Sequence, residues 1–133
     1  MRTYLLVAFC FLLASCSTVD FAQVDAKAFG PAPSAFVLQT AAEKNLRDSS
    51  PDAERTVRWF DEQPQQAALY TGFLIGSWTY GWAMRFGVNE KSRFGGHTGE
   101  RVYYVMMSGD DLWVDEVASS DFKVNDTPAA PAR

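Results

Sequence analysis

The chain has 133 residues, with 12 Lys or Arg against 16 Asp or Glu and a net charge of −4. That length holds one compact domain, and the acidic balance argues against an electrostatic grip on nucleic acid. Two cysteines and a single histidine leave too few ligands for a zinc cluster and too few thiols for a disulfide framework.

Arg2 supplies a positive start, and the ten residues Tyr4 to Leu13 follow without a charge. That run has the length of a signal-peptide apolar core and is too short to span a bilayer. It ends Leu13-Ala14-Ser15-Cys16, an aliphatic residue, two small ones and a cysteine, and so resembles the lipobox of bacterial lipoprotein precursors. The resemblance covers residues 1–16 only. It implies that the Cys16 sulfur takes a diacylglyceryl group, that the signal is cut between Ser15 and Cys16, and that the new amino terminus can be acylated in turn, for example with palmitate. Small side chains at Ala14 and Ser15 let a peptidase grip extended backbone, and a thiolate is the nucleophile such a transfer needs. Two or three acyl chains, at ~0.8 kcal/mol per buried methylene, make a lasting anchor where one chain does not. In Gram-negative lipoproteins an aspartate after the cysteine favours the inner membrane; Ser17 stands here, which implies a periplasm-facing or surface position at the outer membrane. Loss of residues 1–15 removes one basic residue, leaving 118 residues, a charge of −5 and no free thiol.

Along the remaining chain, residues 16–33 are expected to form the lipidated cysteine and a flexible tether reaching on the order of 20 Å. Residues 34–124 form the single domain, and 125–133, rich in Ala and Pro, a disordered tail. Ser34 can cap a helix through AFVLQTAAEKNLRD with Leu38, Ala41, Ala42 and Leu46 on one side. Ser50-Pro51 looks like an N-cap and first turn for a second helix, PDAERTVRWFDEQ, with Ala53, Val57 and Phe60 on one face. From 74 to 88 the even positions are bulky (Leu74, Trp78, Tyr80, Trp82, Met84, Phe86, Val88) except for Gly76, and the odd positions from 77 are small or polar. A period of two marks extended chain with one buried face; it outweighs a membrane helix built on Gly72-x-x-x-Gly76, and a bend is expected at Gly76 or Gly81. Gly109-Asp110 between two β-rich runs predicts a tight hairpin that sets Met107 opposite Leu112 and Val105 opposite Val114. Residues 121–124 could add a short edge strand. The expected fold class is α+β: two N-terminal helices packed on an antiparallel sheet of three to four strands.

Catalytic chemistry finds little support. His97 lies in a Gly-rich loop, with Glu100 as its nearest orienting carboxylate and no good nucleophile. Asp110, Asp111, Asp115 and Glu116 lack the ligand spacing of a calcium loop, and the glycines of RFGGHTGE do not follow a strand and open a helix. No cofactor or metal is implied. The candidate binding residues are Trp78, Tyr80 and Trp82, since aromatic rings dominate recognition surfaces; the competing use of the same rings is to fill the core beneath the helices. The functional expectation is a membrane-anchored, non-enzymatic binding or assembly accessory of the cell envelope, its partner an envelope protein or wall glycan. The alternative is a periplasmic inhibitor or immunity lipoprotein directed at an envelope-degrading enzyme, to whose basic surface an acidic domain is suited.

Overall fold

The computed structural model describes residues 18–126 apart from Phe73 and Arg93. Lipidation residue Cys16, the cleavage residues and the last seven residues lie outside the described part.

Helix α1, Ala35–Ser49, forms where its stripe predicts it, with the Ser34 hydroxyl accepting the Val37 N–H at 3.3 Å. Leu38, Ala42 and Leu46 are its buried positions. Six strands follow: β1 Arg55–Trp59, β2 Gln65–Gly72, β3 Gly76–Lys91, β4 His97–Ser108, β5 Asp111–Glu116 and β6 Phe122–Val124. All pair antiparallel in one sheet of order β5-β4-β3-β2-β6, with β1 also on β3.

The architecture corrects the expected one: among the described residues there is one α-helix rather than two, and six strands rather than three or four. The segment read as a second helix is β1. Its exposure alternates along Arg55, Thr56, Val57, Arg58 and Trp59, and Thr, Val and Trp are strand formers. The tertiary reason is stronger. Strand β3 has 16 residues and β2 only 8, so β2 covers β3 from Gly76 to Ala83 and leaves the edge beyond it open. An open edge of backbone donors and acceptors demands a partner, and β1 supplies it from Phe86 to Glu90. The bend expected at Gly76 or Gly81 is a hairpin turn that ends at Gly76, so β3 starts there rather than at Leu74 and runs on through Gly81; Gly72 and Gly76 face each other, Gly72 with φ 138°.

Where β1 stops and β2 has not begun, Arg85 of β3, paired with Tyr104 of β4 on one side, has no strand on the other. Asp61, in the connection, fills the gap. Its carboxylate accepts the Arg85 backbone N–H at 2.8 Å and the guanidinium at 3.0 and 2.8 Å, while the Phe60 N–H donates to the Arg85 carbonyl at 3.0 Å. A side chain thus completes the ladder that the backbone leaves broken.

The sheet separates two cores. On one face Met84, Phe86, Val88 and Val105 pack against Leu38, Ala42 and Leu46 of α1. The other face gathers Ala67, Leu69, Ala83, Tyr104, Met106 and Phe122. The rings of Tyr104 and Phe122 stack at 4.1 Å and 3°, although β3 and β2 lie between their strands. In a flat sheet, strands three places apart are separated by about 14 Å. The sheet therefore curls tightly around this second core, which lets residues 117–121 carry the chain from β5 at one edge to β6 at the other.

Candidate functional site

The aromatic row lies on the α1 side of β3, but α1 covers only its far half. The near half meets the N-terminal segment. Asp20 and Asp25 cap two short 3₁₀ turns, Phe21–Gln23 and Ala26–Phe29, by accepting the Ala22 and Lys27 N–H groups. The second turn delivers Phe29, 2% exposed, onto the row. Its ring lies 5.6 Å from Tyr80, 6.3 Å from Trp82 and 6.2 Å from Phe21. The Trp82 indole N–H donates to the Gly30 carbonyl at 3.1 Å, and Gly30 leaves the turn at φ 68°, a conformation glycine adopts without strain.

Much of the stretch expected as a tether is therefore folded onto the sheet. The physical reason is Phe29: an apolar ring beside three half-covered aromatics gains more from burial than a free coil gains from disorder. Residues 125 and 126, expected in the tail, are likewise held to the sheet: the Asn125 N–H donates to the Gln66 carbonyl at 2.8 Å and Asp126 accepts from Arg85 at 2.8 Å.

The three candidate residues share one surface unequally. Trp82 and Tyr80 are half-buried under Phe29, while Trp78, also half-buried, packs edge-on against Tyr70 of β2 at 5.4 Å. Between them and the N-terminal turns is an open cleft of about 450 Å³, bounded by Thr18, Asp20, Gln23, Asp25, Trp78 and Tyr80. It combines ring surface, two carboxylates and a side-chain amide. Such a lining suits a polypeptide with apolar and donor groups in alternation. Of its two rings, Tyr80 gives surface to Phe29 and Trp78 to Tyr70, which leaves less open face for stacking sugar rings.

His97 and Glu100 do not form a catalytic pair. Glu100 is held by Arg58 through two hydrogen bonds, at 3.1 and 2.6 Å, and this contact holds its carboxyl below the usual carboxylate range. Gly87 makes room for that pair: a Cβ there would strike the Glu100 carboxylate. His97 is exposed opposite Lys91, and the extra residue in β4 between His97 and Glu100 is absorbed near Gly99, φ 93°. The acidic cluster also disperses. Asp110 sits in the turn after Gly109, φ 59°, and Asp115 accepts the Glu116 N–H and the Ser120 hydroxyl. The hairpin pairs Met107 with Leu112 and Val105 with Val114, the register its turn dictates. Among the described residues no group of three or more His, Cys, Asp or Glu is placed to hold a metal ion, and no helix is long and apolar enough to cross a membrane.

Two structural residues escaped the sequence reading. Asp61 had a signal: Arg85 ends 22 uncharged residues, 63–84, on the small-residue side of a half-buried strand, and a cation so placed needs a carboxylate. Phe29 had none beyond its apolarity.

Comparison with family models, with curated proteins and with solved structures finds no match to this chain.

Proposed function

We propose that the protein is a lipid-anchored, non-enzymatic accessory of the bacterial cell envelope, held at the outer membrane through Cys16 and binding an envelope protein in the cleft of Trp78 and Tyr80. The observation that carries the reading is the place where the chain enters the fold. Thr18, two residues after the lipobox cysteine, is itself a wall of the cleft. An anchored chain would thus hold its recognition surface close to the bilayer rather than at the end of a long leash. The half-covered rings favour a polypeptide over a glycan, and a net charge of −5 after signal removal gives no reason to expect attraction to anionic lipid.

Two experiments test this. Globomycin should block processing, and mass spectrometry of the N-terminal peptide should find Cys16 acylated; palmitate labelling that fails, or a Cys16→Ser variant that fractionates like wild type, refutes the anchor. For recognition, detergent-solubilised protein should retain an envelope protein that Trp78→Ala releases. Retention unchanged by Trp78→Ala refutes the cleft, and saturable binding of soluble muropeptides instead would assign it to glycan.

A further inference from the structure

The turn joining β2 to β3 is apolar where turns are ordinarily polar or glycine-rich. Leu74 is 86% exposed and Ile75 94%, and nothing charged occurs in the sequence from residue 63 to 84. Two adjacent large apolar side chains projecting into water at a hairpin tip stabilise nothing in the fold. Phe94, 98% exposed, is the comparable residue at the opposite end of β3, but it stands in a loop with Lys91, Ser92 and His97 around it.

The surroundings of the Leu74–Ile75 tip say what covers it. Tyr70 and Trp78 face each other two residues behind the glycines that close the hairpin, their rings 5.4 Å apart, as a collar of amphipathic aromatics of the kind found at membrane interfaces. Trp78 also lines the cleft with Thr18. Cys16 precedes Thr18 by two residues, which extended chain spans in about 7 Å, and Gly76 precedes Trp78 by the same number. Thr18 and the apolar tip therefore belong to one end of the molecule, and a lipid on Cys16 would be attached within that reach of it.

We infer that the Leu74–Ile75 tip is a second membrane contact: it enters the same leaflet as the Cys16 lipid, with Tyr70 and Trp78 at headgroup level. The inference rests on the lipoprotein reading and deepens it by fixing the orientation of the domain. A lipid alone lets the domain tumble; a lipid and a side-chain wedge at the same end hold the strands upright and set the cleft beside the headgroups, within reach of a membrane-embedded partner. The acidic residues near the cleft, Asp20 and Asp25, make this an apolar insertion rather than a charge attraction, so it should be insensitive to salt and effective on zwitterionic lipid.

The test uses fluorophore labels on the lipidated protein, reconstituted in phosphatidylcholine vesicles with and without nitroxide-bearing phosphatidylcholine. After processing Cys10 is gone and Cys16 is a thioether, so Ile75→Cys and, as control, Phe94→Cys each provide a single reactive thiol. Both sites are nearly fully exposed, so folding is spared. The label at position 75 should be quenched at least twofold by the nitroxide lipid, equally at low and high salt, and that at 94 by less than a fifth. Adding Leu74→Ser should weaken the quenching at 75. Acylated protein whose two labels respond alike overturns the tip contact and leaves the anchor standing. If Cys16 proves unmodified, the anchor falls; the same variants with Cys10→Ser and Cys16→Ser added, so that one thiol remains, are then labelled and mixed with the same vesicles, which supports the wedge if position 75 is still quenched and overturns it if not.

Discussion

Replacing Asp61 by Ala tests how the broken edge of β3 is completed. Asp61 is 9% exposed and its carboxylate holds three hydrogen bonds from Arg85, one from the backbone and two from the guanidinium. Truncation leaves the Arg85 N–H with no partner at the gap between β1 and β2, a loss of about 1–3 kcal/mol for a buried donor. It also uncouples a guanidinium whose proton is held more tightly than usual, chiefly by the hydrogen bonds it donates to Asp61. Breaking a fully buried pair costs about 3–5 kcal/mol, but the Arg85 side chain is 27% exposed and keeps Asp126, so that term shrinks to about 1–2 kcal/mol. Together the variant should lose about 3 kcal/mol, or roughly 12 °C of Tm at about 4 °C per kcal/mol for a domain of this size. The assay is denaturant and thermal unfolding, followed by circular dichroism. Asp126→Ala, removing a side chain 67% exposed, should lose under about 1 kcal/mol, and Asp61→Asn should fall between. An Asp61→Ala loss no larger than that of Asp126→Ala would refute the idea that a side chain stands in for a strand here.

Three more outcomes follow from the same packing. Phe29→Ala should unlatch residues 18–33, costing about 2–4 kcal/mol as a partly relaxed large-to-small change, and limited proteolysis at Lys27 should accelerate at least tenfold; unchanged protection would mean the N-terminal turns are held by something else. Burial pushes the Tyr104 phenol up, with Ser120 pulling the other way. A raised folded value means the stabilising difference is intact below the unfolded pKa near 10 and is lost as pH rises through the folded one. Unfolding free energy should therefore fall above about pH 10, by at most about 1.4 kcal/mol per unit from this group, and Tyr104→Phe should flatten that limb. Glu100 runs in the opposite sense: its lowered carboxyl contributes above the ordinary carboxylate range and is lost as pH falls through its folded value. An NMR titration should show its midpoint rising in Arg58→Leu; a midpoint that stays put would show the pair is not what lowers it.

Apolar periods and turn chemistry written into short stretches were legible from the sequence. The α1 stripe, the alternation through Met84, Phe86 and Val88 and the turn at Gly109-Asp110 each specify their own local geometry, because the signal and the structure share one segment. The helix reading of 51–63 failed since Ala53, Val57 and Phe60 fit a helical face as well as Val57 and Trp59 fit a strand, and the deciding term lay outside the segment, in the unpaired end of β3. The β2–β3 turn was illegible for a different reason. Turn residues are recognised by polarity or by backbone freedom between the strands, and here the apolar Leu74 and Ile75 disguise the loop as core.

Curling, the folding of Phe29 onto Tyr80 and Trp82, and the Asp61 plug depend on contacts between residues 18 to 53 positions apart, and no local pattern encodes them. By itself the sequence determined the α1 helix, the extended run of β3 and the β4–β5 hairpin. Only the tertiary structure decided that Thr18, the aromatic cleft and the apolar tip share one end of the molecule, because that coincidence arises from strand pairing and ring packing rather than from neighbours along the chain.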